Sequence, residues 1–269
     1  MTIGLFCIPG YTEIGIHTYA YFSRILTQYG FDFYITELQA HGVDEDINDF
    51  NYKLCLQQVE REYLAFLGDF DVVYIIGFSM GGVIAAHLAS RYGCDKLVMV
   101  SPAFKYGKAT QIVKDFLHTF QEDNQYPTIL DLFRASGEER NDIIARFMHE
   151  EFASKGAAYQ RMFDRLGTIK PTSFLNFTRL VAYVKKDIKI DNIPTRIYQS
   201  ENDELIPVES ALWIFKHIKG DDKRLTFLSG ARHRILSSNV KEDVTEDVVR
   251  FLFGFDVRLT PRNTPGQYK

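Results

Sequence analysis

The sequence predicts an α/β domain built on a mostly parallel sheet of about six strands, with helices on both faces. Short runs of β-branched and aromatic residues alternate with segments whose apolar residues have helical spacing, which is typical of right-handed βαβ units. The strands, such as residues 72–76, are unbroken apolar runs, and this favours a sheet that is covered on both sides. A chain of 269 residues that is 46% hydrophobic is long enough for one such domain with an insertion.

The elements are predicted in two blocks. In the first block, strands are expected at residues 2–8, 31–35, 72–78 and 97–100. The first strand is followed by a helix that carries one apolar face, formed by Ile16, Tyr19, Phe22, Ile25 and Leu26. A second helix is expected at residues 50–67, with Cys55, Val59, Tyr63 and Phe66 at helical spacing. In the second block, strands are expected at 195–199 and 225–228, and helices at 207–218 and 239–253.

Between these blocks, residues 103–190 are predicted to be helical and to contain no convincing strand. One helix there should begin near Pro171 and turn Phe174, Phe177, Leu180, Val181 and Val184 inward. The insertion leaves the sheet after residues 97–100, so it can fold over the carboxyl ends of the strands, where α/β sheets bind ligands. We therefore expect a core at 1–102 and 191–254, a helical lid at 103–190 and a polar tail at 255–269. The alternative is a subdomain whose aromatic residues pack only its own core.

Composition and spacing exclude several functions. The net charge of −4 and the lack of a Lys/Arg block argue against a nucleic-acid or anionic-membrane partner, and no apolar run is long enough for an integral membrane segment. Three widely spaced cysteines and a first segment that enters a strand directly predict a cytoplasmic protein. No metal-ligand spacing and no phosphate or dinucleotide loop is present, so neither a metal nor a cofactor is expected. No feature of the sequence indicates an oligomeric state.

The most informative motif is G-x-S-x-G at residues 77–81, which lies between a predicted strand and a predicted helix. A sharp turn there forces strained backbone angles on Ser79, so its neighbours must be small. The turn lifts the hydroxyl above the sheet at the start of a helix whose amides point the same way. The alternative is a glycine-rich turn with an incidental serine.

A serine nucleophile needs a base, and the base needs an acid partner. Of seven histidines, His233 is the best candidate because it lies in the loop after the last strand and before the last helix. Three carboxylates compete for the acid in the loop after residues 195–199, namely Glu201, Asp203 and Glu204. The residues alone leave this choice open.

Three segments together, residues 77–82, 203–207 and 230–233, resemble the α/β-hydrolase superfamily, and the chain is similar to the small carboxylesterases and monoacylglycerol lipases within it. The order Ser…Asp…His is the one this superfamily uses. The resemblance covers residues 3–102 and 194–253 and implies an α/β-hydrolase fold with an inserted helical lid. It implies that Ser79 is the nucleophile, Asp203 the acid and His233 the general base.

The same resemblance implies an oxyanion hole formed by the backbone amides of Tyr11 and Met80, and a structural role for His41. The chain departs from the family pattern at Pro9, where histidine is usual. It departs again at Arg232 and Arg234, whose charges should lower the pKa of His233 unless Asp203 outweighs them.

The implied activity is serine-dependent hydrolysis of a small apolar ester, with a short-to-medium acyl chain or a monoacylglycerol as substrate. The alternatives are a thioesterase or acyltransferase that uses the same triad, and a non-catalytic binding protein on the same fold.

Overall fold

The computed structural model describes residues 2–106 and 169–254. Its strands, in chain order, are β1 Ile3–Ile8, β2 Asp32–Ile35, β3 Val72–Phe78, β4 Lys96–Val100, β5 Ile190–Asp191, β6 Thr195–Ser200, β7 Ile218–Lys219 and β8 Lys223–Leu228. Its α-helices are α1 Gly15–Thr18, α2 Ala20–Gln28, α3 Tyr52–Asp69, α4 Met80–Tyr92, α5 Pro171–Lys186, α6 Val208–His217 and α7 Lys241–Phe253. Short 3-10 helices occupy Ile47–Asp49 and Ile235–Ser237.

Six strands form one sheet in the order β2-β1-β3-β4-β6-β8, and every pairing in it is parallel. The predicted parallel six-stranded sheet is therefore confirmed. Because the strands share one direction, their carboxyl ends all meet at one edge. The loops that follow β1, β3, β6 and β8 lie at that edge, and they carry the predicted site residues.

Helices cover both faces of the sheet, as the apolar strands predicted. On one face, Phe6, Ile75 and Met99 pack in a core with residues of α3, α4, α5 and α6. On the other face, Leu5 and Ile76 pack with residues of α2 and α7. Burial of alternate residues of the same strands on opposite faces explains why β1 and β3 carry no polar positions.

Four details of the helices and strands differ from the prediction. The first predicted helix is two helices that meet at Tyr19, and Ile16 is 58% exposed rather than buried. The helix expected from Pro207 begins at Val208. Ile190–Asp191 at the end of the predicted lid forms a strand, which pairs with Ile218–Lys219 in a separate two-stranded parallel sheet. This pairing was missed because two residues carry no periodic signal.

The helix predicted from near Pro171 is confirmed, and Phe177, Leu180, Val181 and Val184 are buried in it. Phe174 is partly buried against the same core. Residues 107–168 of the predicted lid and the predicted tail at 255–269 lie outside the described residues.

Candidate active site

Ser79 lies at the turn between β3 and α4 with φ 54° and ψ −115°, a left-handed conformation that costs a non-glycine residue about 1–3 kcal/mol. Its N–H donates to the carbonyl of Val100 at 2.9 Å, which holds the turn against β4. The flanking glycines are required, since a Cβ at Gly77 would lie 2.2 Å from the Gly81 oxygen and one at Gly81 would lie 2.1 Å from the Ile8 oxygen. The turn predicted from the motif is therefore present, with its serine at the edge of the sheet.

His233 lies in the loop after β8, and its Nε2 is 3.1 Å from the Ser79 Oγ. The imidazole packs against the ring of Phe78, with 5.0 Å between centroids, and the residue is 5% exposed. Phe78, the last residue of β3 and the neighbour of Ser79 in the chain, therefore helps to orient the imidazole, and solvent has little access to the Ser79–His233 hydrogen bond.

Asp203 lies in the loop after β6 and completes the row of hydrogen bonds. Both of its carboxylate oxygens are within hydrogen-bonding distance of His233 Nδ1, at 3.0 and 2.9 Å. Oδ1 also accepts the N–H groups of Leu205 and Ile206, and Oδ2 accepts from the Gln199 amide. Because a carboxylate only accepts, Nδ1 carries the proton, and Nε2 of the neutral ring is left to accept the Ser79 hydroxyl proton.

Burial and charge act in opposite directions on the pKa values of this pair. Burial lowers the pKa of His233, but the charge of Asp203, its hydrogen bond, and the charges of Glu204 and Glu13 raise that pKa to a net value above the ordinary one. Burial raises the pKa of Asp203, but the charge of His233 and hydrogen bonds from His233, Ile206 and Leu205 bring it below its ordinary value. Both shifts favour the charged pair that forms when the histidine takes a proton.

The structure separates the three competing carboxylates. Glu201 is exposed, and Glu204 accepts the backbone N–H of His233 at 3.1 Å through Oε2. Of these three carboxylates, Asp203 is the one hydrogen-bonded to the imidazole ring. The distinction depends on where the loop turns, which composition does not reveal.

The other histidines in the described ranges lie elsewhere. His17 and His217 are exposed, and His87 pairs with Glu60 at 2.7 Å between α4 and α3. His41 is buried, hydrogen-bonds the Gln39 carbonyl through Nδ1, and packs edge-on against Tyr11 and Phe50. These contacts fit the structural role that was expected for His41.

The loop after β1 lies directly against Ser79. A Cβ at Gly10 would be 3.2 Å from the Ser79 Cβ, and Gly81 abuts the carbonyls of Ile8 and Pro9. Met80 is the first residue of α4, where backbone N–H groups have no partner within the helix. The segment that contains Tyr11 and the start of α4 are thus adjacent on either side of Ser79.

The side chain of Tyr11 points away from this junction, toward α5. Its hydroxyl is 2.6 Å from the Ser173 Oγ, which donates to the carbonyl of Ile47 at 2.6 Å. The Tyr11 ring stacks on Phe177 with 5.4 Å between centroids, and burial raises its pKa to about 12. A helix within the predicted lid therefore holds the loop that precedes α1. The sequence does not reveal this contact, because Ser173 lies 162 residues from Tyr11 and belongs to no motif.

The two arginines beside His233 have different surroundings. Arg232 is exposed, whereas Arg234 donates to Glu13 Oε2 at 3.0 Å, an oxygen that also accepts from Thr18. Although burial lowers the pKa of His233, Asp203 raises it, with smaller contributions from Glu204 and Glu13, so the net pKa lies above the ordinary value. Glu13 was missed because its partner lies 221 residues away.

In residues 2–106 and 169–254, no three His, Cys, Asp or Glu side chains converge in a way that could hold a metal ion. Among the helices in those ranges, none combines the length and the apolar composition that crossing a membrane requires.

The family model Hydrolase_4, described as serine aminopeptidase, S33, matches residues 5–239. The chain belongs to this family. Hydrolase_4 membership and the parallel sheet with helices on both faces place the chain in the α/β-hydrolase superfamily, as the three sequence segments predicted.

Individual matches agree with this assignment. A carboxylesterase of Bacillus subtilis (strain 168) is 31% identical over 77 residues, which is 29% of this chain. The match spans about a third of the length of that relative (31%). A solved structure reported with LipS and LipT, two metagenome-derived lipolytic enzymes, superposes with a TM-score of 0.64 at 16% identity, covering 95% of both chains. A soluble variant of monoglyceride lipase from Saccharomyces cerevisiae superposes with a TM-score of 0.60 at 18% identity, covering 94% of this chain and 87% of that one. At these identities the two structures show a shared fold.

Proposed function

We propose that this Hydrolase_4 protein is a serine hydrolase that cleaves carboxylic esters through an acyl-enzyme on Ser79. The observation that carries the proposal is the row of hydrogen bonds from Ser79 through His233 to Asp203, with Nε2 3.1 Å from Oγ and Nδ1 2.9 Å from Oδ2. In this tautomer the imidazole is ready to accept the serine proton, and Asp203 stabilises the imidazolium that forms.

The reaction follows in two halves. Ser79 Oγ attacks the ester carbonyl while His233 takes its proton, and the oxyanion lies between the backbone amides of Tyr11 and Met80. The imidazolium then protonates the leaving alcohol, and water repeats the sequence on the acyl-enzyme. The proximity of the loop after β1 to the start of α4 supports this placement of the two amides. One such donor contributes about 3 kcal/mol to transition-state stabilisation.

The substrate class proposed is an apolar ester with a short-to-medium acyl chain, or a monoacylglycerol. Support comes from an aromatic cluster beside the oxyanion loop, in which Tyr11, Tyr106, Phe174 and Phe177 have ring centroids 5.2–6.2 Å apart. Phe177 is buried, whereas Tyr106 and Phe174 are only partly buried. With the helical lid proposed for 103–190, the exposed parts of these rings would form an apolar wall next to Ser79.

A thioesterase or acyltransferase would use the same acyl-enzyme, since a thioester carbonyl reacts with an activated serine in the same way. Relative rates on p-nitrophenyl esters, acyl-coenzyme A thioesters and aminoacyl p-nitroanilides separate an esterase from a thioesterase and an aminopeptidase. A protein that only binds its ligand would turn over none of them.

A cytoplasmic location is part of the proposal. All three cysteines are free thiols, and Cys7 and Cys55 are fully buried. Such thiols are typical of proteins in a reducing compartment.

The decisive experiment is labelling with a fluorophosphonate probe, which reacts with an activated serine. We expect the wild-type protein to be labelled on Ser79, and the Ser79→Ala variant to be unlabelled and inactive on a p-nitrophenyl ester. Ser237→Ala is the control, because Ser237 is an exposed serine four residues from His233, and it should label as the wild type does. Labelling of Ser79→Ala would show that the nucleophile is another residue.

A further inference from the structure

The backbone of His233 is held on both sides of the residue. Its N–H donates to Glu204 Oε2 at 3.1 Å, and its carbonyl accepts from the Ser101 hydroxyl at 3.2 Å. The imidazole is held separately by Asp203. The His233 carbonyl also accepts the Ile235 N–H at 2.9 Å. Three backbone hydrogen bonds and the contact of Asp203 with the ring therefore determine where Nε2 points, and Ser79 supplies none of them.

Glu204 reaches His233 because of the way its loop bends. Asp203 Oδ1 accepts the N–H groups of Leu205 and Ile206, which turns the chain back on itself directly after Asp203. The consecutive carboxylates of Asp203 and Glu204 then face the same histidine, one at its ring and the other at its backbone amide. Glu204 is partly buried, so water screens its charge less than it would on an open surface.

The charged groups near His233 include more anions than cations. Asp203, Glu204 and Glu13 act on it as anions. Of the two cations in the same loop, Arg234 is paired with Glu13 and Arg232 is exposed. Glu204 is the one of these anions that combines a hydrogen bond to the histidine backbone with a charge close to the ring.

We propose that Glu204 is a positioning residue for the general base, which fixes the His233 backbone and stabilises the imidazolium that forms during acyl transfer. The inference rests on the proposed function, and it assigns distinct tasks to two neighbouring carboxylates. Asp203 sets the tautomer of the ring. Glu204 sets the position of the residue that carries the ring, and it adds a second negative charge.

Substitutions separate the hydrogen bond from the charge. In Glu204→Gln the side-chain oxygen can still accept the His233 N–H but the charge is lost, whereas Glu204→Ala removes both. Ser101→Ala removes one of the two donors to the His233 carbonyl without changing any charge. Glu201→Gln removes a charge from an exposed position in the same loop and is the matched control.

The measurement is the rate constant for fluorophosphonate labelling of Ser79 as a function of pH. We expect Glu204→Gln to keep its plateau rate within about threefold of wild type, while its acid limb moves about half a pH unit lower because an anion near the imidazolium is gone. Glu204→Ala should show the same movement with a plateau roughly tenfold lower, because the base is misplaced. Ser101→Ala should lower the plateau without moving the limb, and Glu201→Gln should change neither.

The proposal is overturned if the acid limb of Glu204→Gln coincides with that of Glu201→Gln, or if the plateau of Glu204→Ala equals that of wild type. If wild-type protein were not labelled, the proposed function would fail instead. An NMR titration of the His233 ring in wild type and Glu204→Gln would then decide the charge effect alone. A lower titration midpoint in the variant supports that effect, and an unchanged midpoint excludes it.

Discussion

His233 binds a proton more readily than an ordinary histidine, although it is almost fully buried. Burial alone would lower its pKa, but Asp203, Glu204 and Glu13 reverse the sign. The folded-state pKa is above the unfolded value, so the stability that the charged form contributes is present at low pH and is lost as pH rises through the folded pKa. The proposed acyl transfer needs the neutral ring, so its rate should rise over the same pH interval in which this contribution to stability declines.

The first prediction concerns Asp203→Asn. The substitution removes a charge and allows the wrong tautomer of His233, so labelling and ester hydrolysis should fall by roughly 10⁴-fold. In wild type the acid limb of the labelling rate should have its midpoint above pH 6.5, the ordinary histidine pKa, and in Asp203→Asn any residual limb should lie lower. Rates of labelling and of ester hydrolysis, measured across pH, give both the loss of activity and the midpoint of the acid limb.

Glu201→Gln is the control for this charge change, and it should retain the wild-type profile. A comparable loss in Glu201→Gln, or a wild-type rate in Asp203→Asn, would mean that the acid has been assigned to the wrong carboxylate.

At the residue scale, the sequence alone identified a site residue where a motif requires one residue type. It left the choice open where several carboxylates lie in the same loop. Ser79 was predictable because its motif requires glycine at positions 77 and 81, where a Cβ would lie only 2.1–2.2 Å from a backbone oxygen. The choice of Asp203 over Glu201 and Glu204 required the family resemblance. Contacts such as Ser101 with His233, 132 residues apart, have no local signature at all.

At the scale of elements, α5 supports the loop after β1 through one buried hydroxyl. Ser173 donates to the Ile47 carbonyl, so its oxygen accepts the Tyr11 hydroxyl proton. The side chain is fully buried. One serine thus joins α5, the 3-10 helix and the loop proposed to carry half of the oxyanion hole.

Ser173→Ala should therefore leave the partly buried Tyr11 hydroxyl without the Ser173 oxygen, while the Ile47 carbonyl keeps only the Phe50 N–H. We expect the free energy of unfolding to fall by about 1–3 kcal/mol, measured as a shift of the urea midpoint at constant slope. Thr172→Ala, an exposed neighbour on the same helix, should change it by less than about 0.5 kcal/mol. Equal effects of the two substitutions would show that Ser173 does not act as a bridge.

Elements with a long periodic pattern were predictable, and short ones were not. The buried positions of α3, namely Cys55, Val59, Tyr63 and Phe66, were all expected from helical spacing. Ile16 was misplaced because the predicted continuous helix is interrupted at Tyr19, so Ile16 belongs to the separate four-residue helix α1 and is exposed. The β5–β7 pair was missed because each strand has two residues.

At the scale of the whole molecule, one sheet joins two distant parts of the chain. β4 pairs with β6 across the insertion, and Lys96 of β4 donates to the carbonyls of Phe251 and Leu252 at the end of α7. The cores on both faces of the sheet include residues from each side of the insertion. The two sequence blocks consequently share one sheet and the cores on both of its faces.

We therefore expect both blocks to unfold in one urea transition. The only tryptophan, Trp213, lies in α6 between Phe104 and His217, so its fluorescence reports on the second block. Cys7 of β1 is fully buried, so its reaction with a thiol reagent, located by peptide mass spectrometry, reports on the first. The two midpoints should coincide, and separated midpoints would mean that the halves unfold independently.

The histidine loop comes after β8, which is the last strand in chain order within the described residues and forms one of the two edges of the sheet. A chain that has left the ribosome only as far as residue 232 contains Ser79, both of its glycines and Asp203, but no base at the serine. An unassisted serine hydroxyl is a poor nucleophile. On the proposed mechanism, Ser79 therefore becomes reactive only after β8 and the loop that carries His233 have been synthesised and have joined the sheet.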